Sequence, residues 1–110
     1  TAEKYYAGIH NPEIILPEKM ESVKHVYHIF GIRCERRADL EKYLYEKGIG
    51  TNKHYPIPIH LQEAYRDLNL AKGVLPIAED ISATELSIPM YYGMTDEEVN
   101  YIIDALNAFK

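Results

Sequence analysis

The sequence predicts an α+β domain in which helices cover a small mixed or antiparallel sheet of about three strands. Three features point there. Runs rich in β-branched and aromatic residues occur at 25–34 and 85–90, amphipathic stretches occur at 36–47 and 95–109, and the elements follow the order strand, helix, strand, short helices, strand, helix. With 110 residues, 46% of them hydrophobic, the chain can bury one modest core, a tight fit for a complete catalytic machine.

Residues 1–8 read as the tail of a helix with Gly8 as its stop, and the lack of an initiator Met suggests a chain cut from a longer one. Asn11-Pro12 and Leu16-Pro17 disfavour a regular helix over 9–22, which reads as a connecting arm. A strand is expected over 25–34, with Val26, His28, Phe30, Ile32 and Cys34 on one face and Tyr27 and Ile29 on the other. Leu40, Tyr43 and Leu44 then fall at helical spacing, and Gly48 ends that helix. A second strand is expected over 49–54.

Pro56 and Pro58 force an extended loop, because each fixes its own φ and keeps its predecessor out of helix. Short helices are expected at 60–65 and 76–84, either side of a turn at Gly73, the second opening with Pro76 at its first position. Leu86, Ile88 and Met90 alternate along a third strand, where Pro89 marks an edge or an end. The last helix carries the clearest signal. Thr95 and Glu98 match a capping box, followed by an apolar stripe of Val99, Ile102, Ile103, Leu106 and Phe109.

Composition narrows the function classes. A net charge of -5 with no Lys/Arg-rich run argues against nucleic acid as a partner. No apolar stretch approaches the roughly 20 residues that span a bilayer, and no signal-peptide pattern opens the chain, so no membrane partner is expected. The single cysteine, Cys34, cannot form an internal disulfide and reads as a small core residue, which makes a cytoplasmic location the simplest one.

The five histidines do not form a metal set: His25 and His28 face opposite sides of the expected strand, and no Cys or carboxylate completes a tetrahedral group. Cys34 lacks an activating neighbour for nucleophilic work. Gly48-Ile-Gly50 is a helix stop and turn, lacking the third glycine of a phosphate cradle. The candidate that remains is His54-Tyr-Pro-Ile-Pro-Ile-His60, where two imidazoles and a phenol stand on a proline-stiffened loop suited to hydrogen-bonding a polar ligand. A structural reading competes, in which the prolines shape a turn and the rings are satisfied internally.

Several blocks in order carry a resemblance over essentially the whole chain. They are His25-Val-Tyr-His-Ile-Phe30, Gly48-Ile-Gly-Thr51, His54-Tyr-Pro-Ile-Pro-Ile-His-Leu-Gln62, Ala64-Tyr65, Leu86-Ser-Ile-Pro-Met-Tyr91 and Gly93-Met-Thr-Asp-Glu-Glu98. Together they resemble the C-terminal part of the DegT/DnrJ/EryC1/StrS family, in the form found in aminotransferases that act on nucleotide-linked keto-deoxyhexoses.

The resemblance implies the small domain of a fold-type-I, pyridoxal-phosphate (PLP) dependent enzyme, with residues 1–22 as the end of an interdomain helix and connecting arm and residues 23–110 as the small domain. The large domain, with the Schiff-base lysine, would lie outside the chain. PLP is thus implied for the parent enzyme and none for this fragment, which would be inactive alone, with no catalytic residue of its own. The resemblance further implies glutamate as amino donor, a homodimeric parent, and His54 and Tyr55 lining the sugar side of the cleft. His60 is a weaker substrate-binding candidate that also fits the cap of the following helix. Lys53 stands where the family often has an apolar residue and fits either a substrate pyrophosphate or solvent. Tyr92 replaces a common proline. Two rival readings stay open: a free-standing ligand-binding module, and a dehydratase of the same family.

Overall fold

The computed structural model describes residues 1–110. Helix α1 spans Ala2–Gly8, strand β1 Phe30–Arg33, helix α2 Arg37–Glu46, helix α3 Pro76–Thr84, strand β2 Glu85–Ile88 and helix α4 Asp96–Ala108; two 3-10 turns, Ile59–Leu61 and Glu63–Leu68, lie between α2 and α3.

The strands pair antiparallel with Phe30 opposite Ile88, Gly31 opposite Ser87, Ile32 opposite Leu86 and Arg33 opposite Glu85. Because side chains alternate across a sheet, Phe30, Ile32, Leu86 and Ile88 share one face and enter the core, while Gly31, Arg33, Glu85 and Ser87 share the other. Single bridges extend the ladder on both sides, from Ile15 to Arg33 and from Asn52 to Ser87. The antiparallel sheet and α+β class are as expected, but the second expected strand, 49–54, contracts to the one bridge at Asn52. β2 therefore lies between two partners, and all four of its residues are buried. Pro89, without an N–H to donate, follows immediately after its last residue.

The expected strand over 25–34 is also shorter. Tyr27 takes a left-handed backbone (φ 50°), its N–H donates to His25 Nδ1, and ladder pairing starts only at Phe30. Val26 and His28 are consequently exposed, whereas Phe30, Ile32 and Cys34 reach the core.

Local signals set the ends of the helices. α2 stops as expected at Gly48 (φ 75°): the Gly48 N–H bonds Tyr45 C=O and the Ile49 N–H bonds Leu44 C=O, a paired closure that needs a left-handed residue. α1 ends where Ile9 turns extended, and Gly8, its last residue, serves packing instead: a Cβ there would lie 2.8 Å from Ile103 Cδ1, where α1 packs directly on α4. α4 opens with both halves of the Thr95/Glu98 capping box and buries Val99, Ile102, Ile103 and Leu106. The arm over 9–22 is tied down at its start, because the Asn11 amide donates to the carbonyls of Leu106 and Phe109, both at 2.8 Å. These carbonyls lie at the end of α4, where that of Leu106 otherwise meets only the Phe109 N–H, at 3.4 Å. Tyr5 is wholly buried against Phe30 and donates to Pro89 C=O at 2.7 Å, and its burial holds the phenol above its usual pKa range.

Candidate functional site

The site begins with a missing side chain. At Gly31 a Cβ would come within 3.0 Å of Glu85 Oε1, so the missing side chain gives the Glu85 carboxylate room on that face of the sheet. Held there, Glu85 accepts the His54 backbone N–H at Oε2 (2.8 Å) and the Ser87 hydroxyl at Oε1. Ser87 Oγ lies 2.8 Å from His54 Nδ1, and the other ring nitrogen, Nε2, lies 3.4 Å from Asn52 Nδ2. His54 is therefore fixed through its backbone N–H and Nδ1, with Asn52 making a longer contact to Nε2. The anchors come from β2 and from the residue that bridges to it.

The peptide bond between His54 and Tyr55 is cis, and the two rings meet edge to face with centroids 5.3 Å apart. Tyr55 turns outward and is 68% exposed. His54 stands between two concavities. One, of about 290 Å³, is bounded by His28, Thr51, Asn52, Ser87 and Met90; the other, of about 610 Å³, is apolar and lined by Tyr55, Ile57, Ile59, Tyr65, Leu75 and Ile81.

His60 borders the same apolar concavity, but its ring is engaged behind it. Its imidazole is buried and lies 2.9 Å from Glu79 Oε1, and Glu79 also accepts the Gly73 N–H. These bonds, that from His60 foremost, hold the Glu79 carboxyl below the usual carboxylate range. The arrangement ties the first 3-10 turn to the loop before α3 and leaves the ring turned inward. Lys53 pairs with Glu41 of α2 at 3.0 Å. Cys34 is buried, and burial pushes its thiol up. Tyr92 is fully exposed in the turn before α4.

The lysines do not fit the role of a Schiff-base partner for PLP, which calls for a desolvated amine. Lys4, Lys19, Lys42 and Lys53 are in ion pairs, Lys47 lies over the Tyr43 ring, and Lys24, Lys72 and Lys110 are exposed.

Sequence reasoning singled out His54 and Tyr55 but missed Asn52, Glu85 and Ser87, which hold His54 in place. A signal was present: Glu85 and Ser87 alternate with Leu86 and Ile88, so β2 carries two polar residues on its second face.

The family model for the DegT/DnrJ/EryC1/StrS aminotransferases matches residues 2–107, nearly the whole chain. This chain belongs to that family. Among similar proteins, the dTDP-3-amino-3,6-dideoxy-alpha-D-galactopyranose transaminase of Aneurinibacillus thermoaerophilus is 37% identical over 108 residues, which are 98% of this chain and 29% of that enzyme. Of the solved structures, DesV of S. venezuelae, in complex with a ketimine intermediate, superposes with a TM-score of 0.92 at 36% identity, over 96% of this chain and 29% of DesV. NtdA of Bacillus subtilis, with bound cofactor PMP, superposes with a TM-score of 0.73 at 34% identity, over 96% of this chain and 24% of NtdA. The chain thus spans 22% to 29% of the length of the sugar aminotransferases it matches by sequence, and has the fold of one portion of a DegT/DnrJ/EryC1/StrS aminotransferase.

Proposed function

We propose that this chain is the C-terminal small domain of a PLP-dependent nucleotide-sugar aminotransferase, with residues 1–22 as the helix end and arm that join it to the large domain. The observation that carries the reading is the likeness to DesV over 96% of the chain, together with a His54 held by Glu85 and Ser87 beside an exposed Tyr55. In the parent, PLP would be held by the large domain and would supply the electron sink for moving the amino group. No lysine of this chain suits that task, so this portion binds and orients.

His54 and Tyr55 would face the nucleotide-linked keto sugar, with glutamate as amino donor, in a cytoplasmic homodimer. His60, turned onto Glu79, would act by stiffening the loop that carries them rather than by touching the sugar. The apolar face over 55–81, with Ile57, Ile59, Leu68 and Ile77 all more than half exposed, would pack against the remainder of the parent.

The test is made in the full-length gene product. It should transfer an amino group from glutamate to a dTDP-linked keto sugar. His54→Ala should lower kcat/KM for the sugar about 10-fold, the worth of one hydrogen bond of about 1.4 kcal/mol. This chain alone, mixed with PLP, should give no glutamate-reversible visible band. A reversible band would refute the assignment of the cofactor to another domain, and an unchanged kcat/KM in the variant would remove His54 from the sugar site.

A further inference from the structure

The hydrogen-bond pattern around His54 determines which of its nitrogens carries the proton when the ring is neutral. An ionised carboxylate only accepts, so Glu85 takes the Ser87 hydroxyl proton at Oε1 and the His54 backbone N–H at Oε2. The Ser87 proton is then committed, and its oxygen can only accept from the ring nitrogen 2.8 Å away, which requires Nδ1–H. The opposite edge of the ring leads to the same answer independently. Asn52 Oδ1 accepts the Lys53 N–H at 2.8 Å, so the Asn52 atom turned toward the ring is the amide nitrogen, a donor. Its partner Nε2 must therefore be the acceptor.

We infer that Glu85 and Ser87 are positioning residues that hold neutral His54 in its Nδ1–H form, so that His54 Nε2 and Asn52 Nδ2 stand side by side as an acceptor and a donor for one ligand hydroxyl. At 3.4 Å the bond between these two atoms is long and is readily exchanged for better ones. Both residues line the concavity of about 290 Å³ beside β2. A hydroxyl entering there donates to Nε2 and accepts from Nδ2, satisfying both. A keto oxygen, which only accepts, would face the Nε2 lone pair and be disfavoured, so the pair selects a hydroxyl-bearing carbon and orients the sugar by it. The tautomer half stands on geometry alone; the sugar half rests on the reading of His54 as a sugar-side residue.

The two halves are tested separately on the isotope-labelled chain. Long-range proton–nitrogen correlation spectra, recorded where the ring is neutral, should show Nδ1 protonated and Nε2 bare. A protonated Nε2 in the neutral ring would overturn the inference. In Glu85→Gln the carboxamide oxygen keeps the His54 N–H, so its NH2 must donate to Ser87 Oγ. The Ser87 hydroxyl is then released to donate to Nδ1, and the ring should switch to Nε2–H. Ser87→Ala should leave a mixture of both forms. A purely structural role for Glu85 and Ser87 predicts no tautomer change in either variant, and the amide spectrum shows whether each has folded.

For the second half, dTDP-glucose is titrated into the chain. Joint shifts of Nε2 and the Asn52 side-chain amide, lost in Glu85→Gln, support the hydroxyl pair, and resonances that stay still overturn it. Failure of the full-length transaminase assay would retire the nucleotide sugar as the ligand, while an Nδ1–H ring would still establish Glu85 and Ser87 as positioning residues.

Discussion

Two regions of this chain hold the same kinds of side chain in opposite circumstances. Around the sheet, α1, α2 and α4 bury Tyr5, Phe30, Ile32, Leu40, Leu44, Leu86 and Leu106 completely. Between α2 and the middle of α3, Tyr55, Ile57, Ile59, Leu68, Leu75 and Ile77 range from 47% to 77% exposed, and all but Ile77 line one shared groove. The first region is a closed core. The second is held mainly by backbone turns and by the buried His60–Glu79 contact. A fold can thus be complete in its sheet and open on one flank, and the flank carries the loop on which His54 and Tyr55 sit.

The largest test of this contrast compares matched truncations. Leu44→Ala and Leu106→Ala should each cost about 2–5 kcal/mol in denaturant unfolding, because each leaves a cavity in a filled core. Ile57→Ala and Ile77→Ala remove similar groups and should each change stability by less than about 0.5 kcal/mol. Equal costs in the two pairs would erase the distinction.

Next in size is Asn11→Ala, which removes the two amide bonds to the carbonyls of Leu106 and Phe109 and should cost about 1–3 kcal/mol. The same unfolding series reads it, and it extends the closed region to the arm. Thr95→Ala should cost about 1 kcal/mol through the lost cap of α4, measured by thermal melting.

The smallest effect on global stability belongs to the open flank. The pKa of Glu79 is lowered in the folded chain, first by His60 and then by the Gly73 N–H. A lowered carboxyl stabilises the fold above its unfolded value, and that contribution fades as pH falls through the folded one. Glu79→Gln should therefore flatten the acid limb of the pH-stability curve below the ordinary glutamate range. Limited proteolysis over 62–75 should accelerate at neutral pH while the global melt hardly moves. A collapse of the global melt would mean that the flank is part of the core.

The elements differed in how legibly they were written in the sequence. The capping box and five-residue stripe of α4, the Gly48 stop of α2 and the Pro76 opening of α3 were local signals, and each was found where it was read. The strands were overextended because β-propensity registers side chains but not partners: Val26 and His28 have strand-like neighbours yet nothing to pair with, and 49–54 meets β2 at Asn52 alone. His54 and Tyr55 stood out because prolines and aromatic rings cluster there. The residues that hold His54 did not, since Glu85 lies 31 positions away.

By itself the sequence determined the α+β class, the helix ends, the apolar stripes and, through its ordered blocks, the DegT/DnrJ/EryC1/StrS aminotransferase family. All of these depend on neighbours within a turn or two, or on patterns shared along the chain. Only the tertiary structure decided that Gly31 makes room for Glu85, that Glu85 and Ser87 reach His54, that His60 turns inward to Glu79, and that one flank stays open. The first three are contacts between residues far apart in the chain, and the last is a face that no other part of the chain covers; all are set by strand register and packing, which no local spacing encodes.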